Sequence, residues 1–246
     1  MPTVIASHDT IPRLEPYVLN LQSPAYRTQS YYASDQILAY VVAGTLRTRS
    51  SRELRELEDA VIYRIVSNCG DRADDLDLSV RRHEQPFSQQ FSPFRLPAIL
   101  RAANERMYEE YQRKGVPLPA LSVVAMTTVQ NRLTVASVGL DINLYRVRAT
   151  RIDKLTPAYE RRQGLPDTPS RLGLGQTPTA DVNVHNGELV PDDIYVMSQA
   201  GVEDEFLRRA LDRFVAARSF PEAIVETFRD VARKAGPALL VGRWMA

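Results

Sequence analysis

Two groups of carboxylates stand close enough in this chain to do chemistry together, Asp192-Asp193 and Glu203-Asp204-Glu205. Clustered acids can hold a hard divalent cation, which favours oxygen ligands, or move protons. Asp192-Asp193 follows Pro191 and precedes an apolar run, with no second ligand group placed beside it. Glu203-Asp204-Glu205 falls in the first turn of a helix, where acidic side chains complement the dipole. His8, His83 and His185 are scattered, without metal-ligand spacing. Cys69 is the single cysteine, which excludes a disulfide within the chain and a cysteine-based zinc cluster. With no histidine beside it, it reads as a structural, partly buried thiol. Arg47, Arg49, Arg52 and Arg55 gather where a helix begins. A basic helix start can hold a phosphate through backbone N–H groups and guanidinium. The interleaved Glu53, Glu56 and Glu58 favour a solvated helix face instead.

The elements that must position these residues follow from periodicity. Ile37–Val42 is a continuous apolar run with β-branched ends and reads as a buried strand. Leu54, Leu57, Val61 and Ile65 recur at helical spacing, predicting a helix over 51–67 with Ser50 or Ser51 as N-cap. Leu100, Ala103, Met107 and Tyr111 mark a second helix over 97–114, with Gly115 suited to its C-cap. Leu121–Val129 and Arg132–Val138 read as a hairpin about Gln130-Asn131, and 143–148 with 151–155 as another pair. Strands are expected over 17–22, 180–185 and 194–198, with Asn186-Gly187 as the turn between the last two. Two helices over 203–217 and 221–235 and a strand over 238–244 close the chain. Segregated strands and helices with hairpin connections imply an α+β fold, two mainly antiparallel sheets with helices packed outside. Residues 1–24, with four prolines, read as an extended lead-in, and 25–246 as a single domain.

Composition limits the function classes. The chain has 246 residues, 44% hydrophobic and 25% charged, with net charge +1. No global field draws it to nucleic acid or to an acidic membrane surface. No apolar run approaches the roughly 20 residues that span a bilayer, and the N-terminus lacks a signal-peptide pattern. The expectation is a cytoplasmic protein.

Three pieces of sequence, taken in order, resemble the metal-dependent serine/threonine phosphatases of type 2C in their minimal bacterial form. The hairpin through Gly139, followed by Leu144-Tyr145-Arg146, is similar to the family's paired central strands and their Gly-Asp-Ser-Arg ending. Leu155-Thr156-Pro157 and Arg171-Leu172-Gly173 resemble its Leu-Thr and Arg-x-Leu-Gly signals. The run from Leu189 to Ser198 resembles its strand leading into Ser-Asp-Gly. The resemblance spans about 25–244 and implies a four-layer αββα sandwich. It also implies two cations held by aspartates at one end, activating water for attack on phosphoserine or phosphothreonine.

The implied carboxylates are largely missing. The first acidic position falls at Ser30, the Asp-Gly signature reads Ala43-Gly44, Ser-Asp-Gly reads Ser198-Gln199-Ala200-Gly201, and the closing Asp-Asn becomes Gly236-Pro237. Asp141 remains if Leu140 is counted as an insertion. Alanine and glycine side chains offer no ligand atom, so no metal and no cofactor are expected. The expected function is a catalytically inactive phosphatase-like protein that binds a protein partner, with Arg27, Arg47, Arg49 and Arg52 as candidate phosphate or partner contacts. Two alternatives stand beside it, a structural subunit of a larger complex and a divergent phosphatase using Asp141 with Asp35.

Overall fold

Every residue of Ile37–Ala43 is buried, and its side chains divide by parity between two cores. Ile37, Ala39, Val41 and Ala43 enter an apolar cluster beneath two helices, while Leu38, Tyr40 and Val42 enter a second cluster between two sheets. A strand covered on both faces carries a continuous apolar run rather than an alternating one. The computed structural model describes residues 13–19, 29–34, 36–43, 50–69, 95–129, 131–139, 142–149, 151–156, 173–199 and 239–245.

The described elements run β1 (Arg13–Leu19), β2 (Gln29–Ala33), β3 (Ile37–Ala43), α1 (Ser51–Cys69), α2 (Arg95–Lys114), β4 (Leu121–Val129), β5 (Arg132–Val138), β6 (Ile142–Arg148), β7 (Arg151–Lys154), β8 (Asn183–Glu188), β9 (Ile194–Gln199) and β10 (Leu239–Met245). They form two five-stranded sheets of order β1-β10-β9-β6-β7 and β2-β3-β4-β5-β8. Every pairing is antiparallel. The fold is α+β, two antiparallel sheets packed face to face, with α1 and α2 on the outer face of the β2–β8 sheet. The predicted helices over 203–217 and 221–235 lie outside the described residues.

Each helix is held by one stripe. Leu54, Glu58, Val61 and Ile65 of α1 are buried at helical spacing, as are Leu96, Leu100, Ala103 and Met107 of α2. Ser50 starts α1 with a capping box. Its Oγ accepts from Glu53 N–H at 3.3 Å, and the Glu53 carboxylate accepts from Ser50 N–H at 2.8 Å. Buried Asn104 of α2 holds the segment after Gly173, accepting from Gly175 N–H at 2.7 Å and donating to the carbonyl of Thr177 at 3.0 Å. Gly173 itself lies so close to the strand entrance that a Cβ would fall 2.7 Å from Ala120 Cα and Leu121 N. That close approach lets Leu174 bridge to Leu121.

Two strand expectations need correction. The first strand is Arg13–Leu19 rather than 17–22, so the proline-bearing lead-in supplies an edge strand, paired to β10. The strand expected over 180–185 begins at Asn183 and runs on through Asn186-Gly187, which is not a turn. The ladder with β5 pairs Thr134 with Asn186 and Leu133 with Gly187, and Thr134 Oγ1 donates to Asn186 Oδ1 at 3.1 Å. Ladder and side-chain bonds outweigh the turn preference of the dipeptide. The chain reverses later, at Val190–Asp193, and passes to the other sheet.

The β6–β7 hairpin places Ala149 at φ 50°, a left-handed conformation that an alanine adopts at a cost of about 1 kcal/mol. Ala149→Gly is expected to raise stability by about 0.5–1 kcal/mol, read as a higher urea midpoint with an unchanged slope.

Candidate functional site

The end of the sandwich where the resemblance implies a metal centre is formed by the end of β3, the start of β2 and the neighbouring face of α1. Ala43 pairs with Leu121 on β4, and Ser30 pairs with Val41 on β3. The methyl of Ala43 is fully buried in the cluster beneath α1 and α2. Its N–H lies one residue past the last β2–β3 pair, Gln29 with Val42, and is taken up by a side chain: it donates to Glu58 Oε1 at 2.8 Å. Glu58 is 0% exposed. Ser30 Oγ donates to Asp59 Oδ1 at 2.5 Å and lies 3.4 Å from Glu58 Oε2. A carboxylate from α1 therefore reaches the two positions where the resemblance implies metal aspartates.

Glu58 corrects the sequence reading, which placed it on a solvated face. The signal was present in the spacing: Glu58 is four residues after Leu54 and three before Val61, on the buried stripe. Burying a carboxylate is costly unless hydrogen bonds replace its water, and the backbone N–H of Ala43 is one such bond.

These residues do not fit a binuclear metal centre. Ala43 has no ligand atom, Ser30 donates its hydroxyl proton to carboxylates, and one oxygen of Glu58 is committed to a backbone N–H. Two close cations need several carboxylates facing a shared space. Among the described residues, no group of three or more His, Cys, Asp or Glu side chains is placed to hold a metal ion. Of the other sequence candidates, Gly44, Asp141, Ala200, Gly236, Arg27, Arg47 and Arg49 lie outside the described residues, as does Asp35.

Arg52 is 89% exposed and donates to Glu56 Oε1 at 3.0 Å across one helical turn. Such a pair on the surface contributes only a few tenths of a kcal/mol. The Glu53 carboxylate already sits at the helix start, taking donors that an incoming anion would need. Cys69 is buried, and burial pushes its thiol up to about 12. The native protein is therefore expected to resist iodoacetamide at pH 8, with mass-spectrometric labelling appearing only after denaturation.

Asp192 and Asp193 have separate roles, neither of them a cation site. Asp192, at φ 67°, pairs with Arg243 on β10. Asp193 is 1% exposed and closes the turn, its Oδ2 accepting from Val190 N–H at 3.2 Å. It also takes both arms of Arg148, at 2.8 and 2.6 Å, and the hydroxyl of buried Tyr195 at 3.2 Å. Burial, then the nearby Asp193 carboxylate, pushes the Tyr195 phenol upward, so it stays a protonated donor.

Leu155-Thr156, one of the strings that carry the resemblance, is a structural tie. Leu155 N–H donates to the carbonyl of Leu144 at 2.8 Å, and Thr156 Oγ1 accepts from Leu144 N–H at 3.1 Å.

No protein-family model and no curated protein sequence matches the chain. Solved structures do. The chain superposes on the catalytic domain of the serine/threonine protein phosphatase PstP, described in complex with two manganese ions, with TM-score 0.71 and 17% identity, covering 96% of this chain and 100% of that one. The PPM Ser-Thr phosphatase MsPP from Mycobacterium smegmatis, in complex with cacodylate, gives TM-score 0.66 and 15% identity over 94% and 98% of the two chains. PppA, described as a key regulatory component of T6SS in Pseudomonas aeruginosa, gives 0.64 and 16% over 96% and 99%. Identities this low speak to architecture, and the architecture agrees over nearly the whole chain. This chain has the fold of the PPM, or type 2C, serine/threonine phosphatases.

Proposed function

We propose that this chain is a catalytically inactive phosphatase-like protein, lacking the binuclear metal centre and acting by binding a protein. In this reading it is a regulator or adaptor in serine/threonine phosphorylation signalling. The observation that carries it is the buried Glu58 carboxylate tied to Ala43 N–H, where the resemblance implies a metal-binding aspartate. Ser30, Gly44, Ala200 and Gly236 add no carboxylate, which leaves Asp141 alone. The scaffold meanwhile keeps both sheets and a closely packed core, as expected where shape is used and hydrolysis is not. One structural neighbour, PppA, is described as a regulatory component, which supports a regulatory role.

The test is metal analysis of the purified chain after incubation with manganese, together with hydrolysis of p-nitrophenyl phosphate. The reading predicts no retained manganese and no hydrolysis above the buffer rate. Retention of two manganese ions per chain would overturn it. So would manganese-dependent hydrolysis lost in Asp141→Asn, which would establish a divergent phosphatase. Arg27, Arg47, Arg49 and Arg52 are the proposed partner contacts. The double substitution Arg47→Glu with Arg49→Glu should abolish capture of a partner identified by pull-down, and intact capture would remove these arginines from the interface.

A further inference from the structure

β8 ends its five-stranded sheet, so one row of its backbone groups faces no strand. The ladder on its other side identifies that row. Leu189 N–H donates to the carbonyl of Asn131 at 2.9 Å, and Glu188 stands opposite Arg132. Bonded and non-bonded pairs alternate along an antiparallel ladder, so Gly187, His185 and Asn183 turn their N–H and C=O toward β5. Val184, Asn186 and Glu188 turn theirs away from the sheet. The Glu188 carbonyl accepts from Arg148 Nη2 at 2.9 Å, consistent with that direction. The other outward groups, the N–H of each residue and the carbonyls of Val184 and Asn186, take part in no turn, loop or cap bond among the described residues.

Sheet edges are usually blunted by proline, charge or short length. β1 carries Pro16 with Arg13 and Glu15, and β7 is four residues long with Arg151, Asp153 and Lys154. β8 is six residues long, carries no proline, lysine or arginine, and has its one carboxylate at its last position, Glu188. Asn186 is exposed, and Val184 is 43% exposed. The strand is a ready template for another.

Local charge selects the partner. Arg146 Nη1 lies 3.9 Å from the place a Cβ would take at Gly187, which sets the β6–β7 hairpin beside β8. Arg146 and Arg151 share Asp153, at 2.8 and 2.6 Å, while Arg148 is matched by Asp193 and Arg132 by the Glu188 opposite it. One guanidinium charge is left over, and Arg151 is 80% exposed. A second copy of this chain would bring the same positive surface to the edge, whereas an acidic segment neutralises it.

We propose that the β8 edge is a docking site for an extended acidic segment of a protein partner, which adds to the sheet as a further strand. Main-chain bonds to Val184 and Asn186 hold it, and its alternate side chains fall on opposite faces. Val184 stands opposite Ala136, a residue of the cluster beneath the helices, so apolar side chains suit that face. His185 stands opposite Val135 of the core between the sheets, and carboxylates on that face point toward the arginines. The inference does not depend on the missing metal centre, since an active phosphatase could carry the same edge.

The experiment titrates the full chain into a fluorescent peptide of alternating Val and Glu, read by anisotropy. Strand addition draws its affinity from main-chain bonds, so a generic peptide is a fair probe. The controls are the alternating Val-Lys peptide and the Val-Glu peptide with its backbone nitrogens methylated on alternate residues. Saturable binding of the Val-Glu peptide is expected, with each control weaker by about tenfold or more. Hydrogen exchange followed by NMR should slow at the Val184 and Asn186 amides in the complex. Val184→Pro removes an outward N–H and no bond to β5, and should weaken binding about tenfold. Arg151→Glu leaves the backbone intact and should weaken it severalfold. Absence of saturable binding would overturn the proposal, as would equal affinity for the methylated peptide or unchanged affinity in both variants. Concentration-dependent dimerisation in sedimentation velocity, with slowed exchange at the same amides and no peptide present, would assign the edge to a second copy and overturn it too.

Discussion

Asp193→Ala should lower the stability of this protein by about 3 kcal/mol, one of the two largest single-site losses expected. Four donors converge on this carboxylate: both arms of Arg148, the N–H of Val190 and the hydroxyl of Tyr195. Tyr195 is 0% exposed, so its hydroxyl would be left without an acceptor in the core. Arg148 keeps 37% of its side-chain surface in water and can rehydrate, which places the loss at the low end of the range for breaking a buried pair. Asp193→Asn keeps an acceptor for Val190 and Tyr195 but removes the charge, and about 1–2 kcal/mol is expected. In a domain of this size, 3 kcal/mol corresponds to a fall in Tm of roughly 6–12 °C. The alternative is a network that merely decorates the surface. Thermal melts of the two variants separate these cases: equal and small losses would show that the network contributes little, whereas a graded loss follows from burial.

That network also shows where sequence reading stops. The long apolar strand Ile37–Ala43 and the hairpin of β4 and β5 were legible, because alternation and continuous apolar runs report burial directly. The stripes of α1 and α2 were legible for the same reason, within two residues at each end. The partnership of Arg148 with Asp193 was not. The two residues stand 45 apart in the chain and meet only because β6 and β9 are neighbours, a pairing that local pattern does not encode. Asn186-Gly187 misled for the opposite reason. It has strong local turn chemistry, yet the β5 ladder holds both residues in a strand. At the candidate site, the absence of a carboxylate at Ser30 and Ala43 could be read from letters alone. The carboxylate that reaches those positions could not, since glutamate in a helix rich in charge looks solvated unless its place on the stripe is checked.

Glu58 supplies the second large effect, and it bears on whether Ala43 can be turned back into a ligand. Glu58→Ala removes the acceptor of a buried N–H and leaves a cavity on the apolar stripe, and a loss of about 2–4 kcal/mol is expected. Glu58→Gln retains a carbonyl oxygen for Ala43 N–H and should cost about 1 kcal/mol. Ala43→Asp is the more telling change. It restores the residue type that the resemblance implies, but in this chain it places a second carboxylate on the residue whose N–H already lies 2.8 Å from Glu58 Oε1. Two buried acids in contact cannot both stay charged without a counter-ion, so one must take up a proton or be expelled. Ala43→Asp alone should therefore destabilise by about 3 kcal/mol and gain no manganese. Combined with Glu58→Gln it should cost less than the two single changes added together, by at least about 1 kcal/mol, because the repulsion is then gone. Urea unfolding of the four proteins in that cycle measures this directly. Strict additivity would mean that Glu58 does not occupy the place of the missing aspartate. Coupling of that sign would mean that the α1 carboxylate and an acid at Ala43 exclude each other, so that restoring activity would require rebuilding the helix face as well as the strand end.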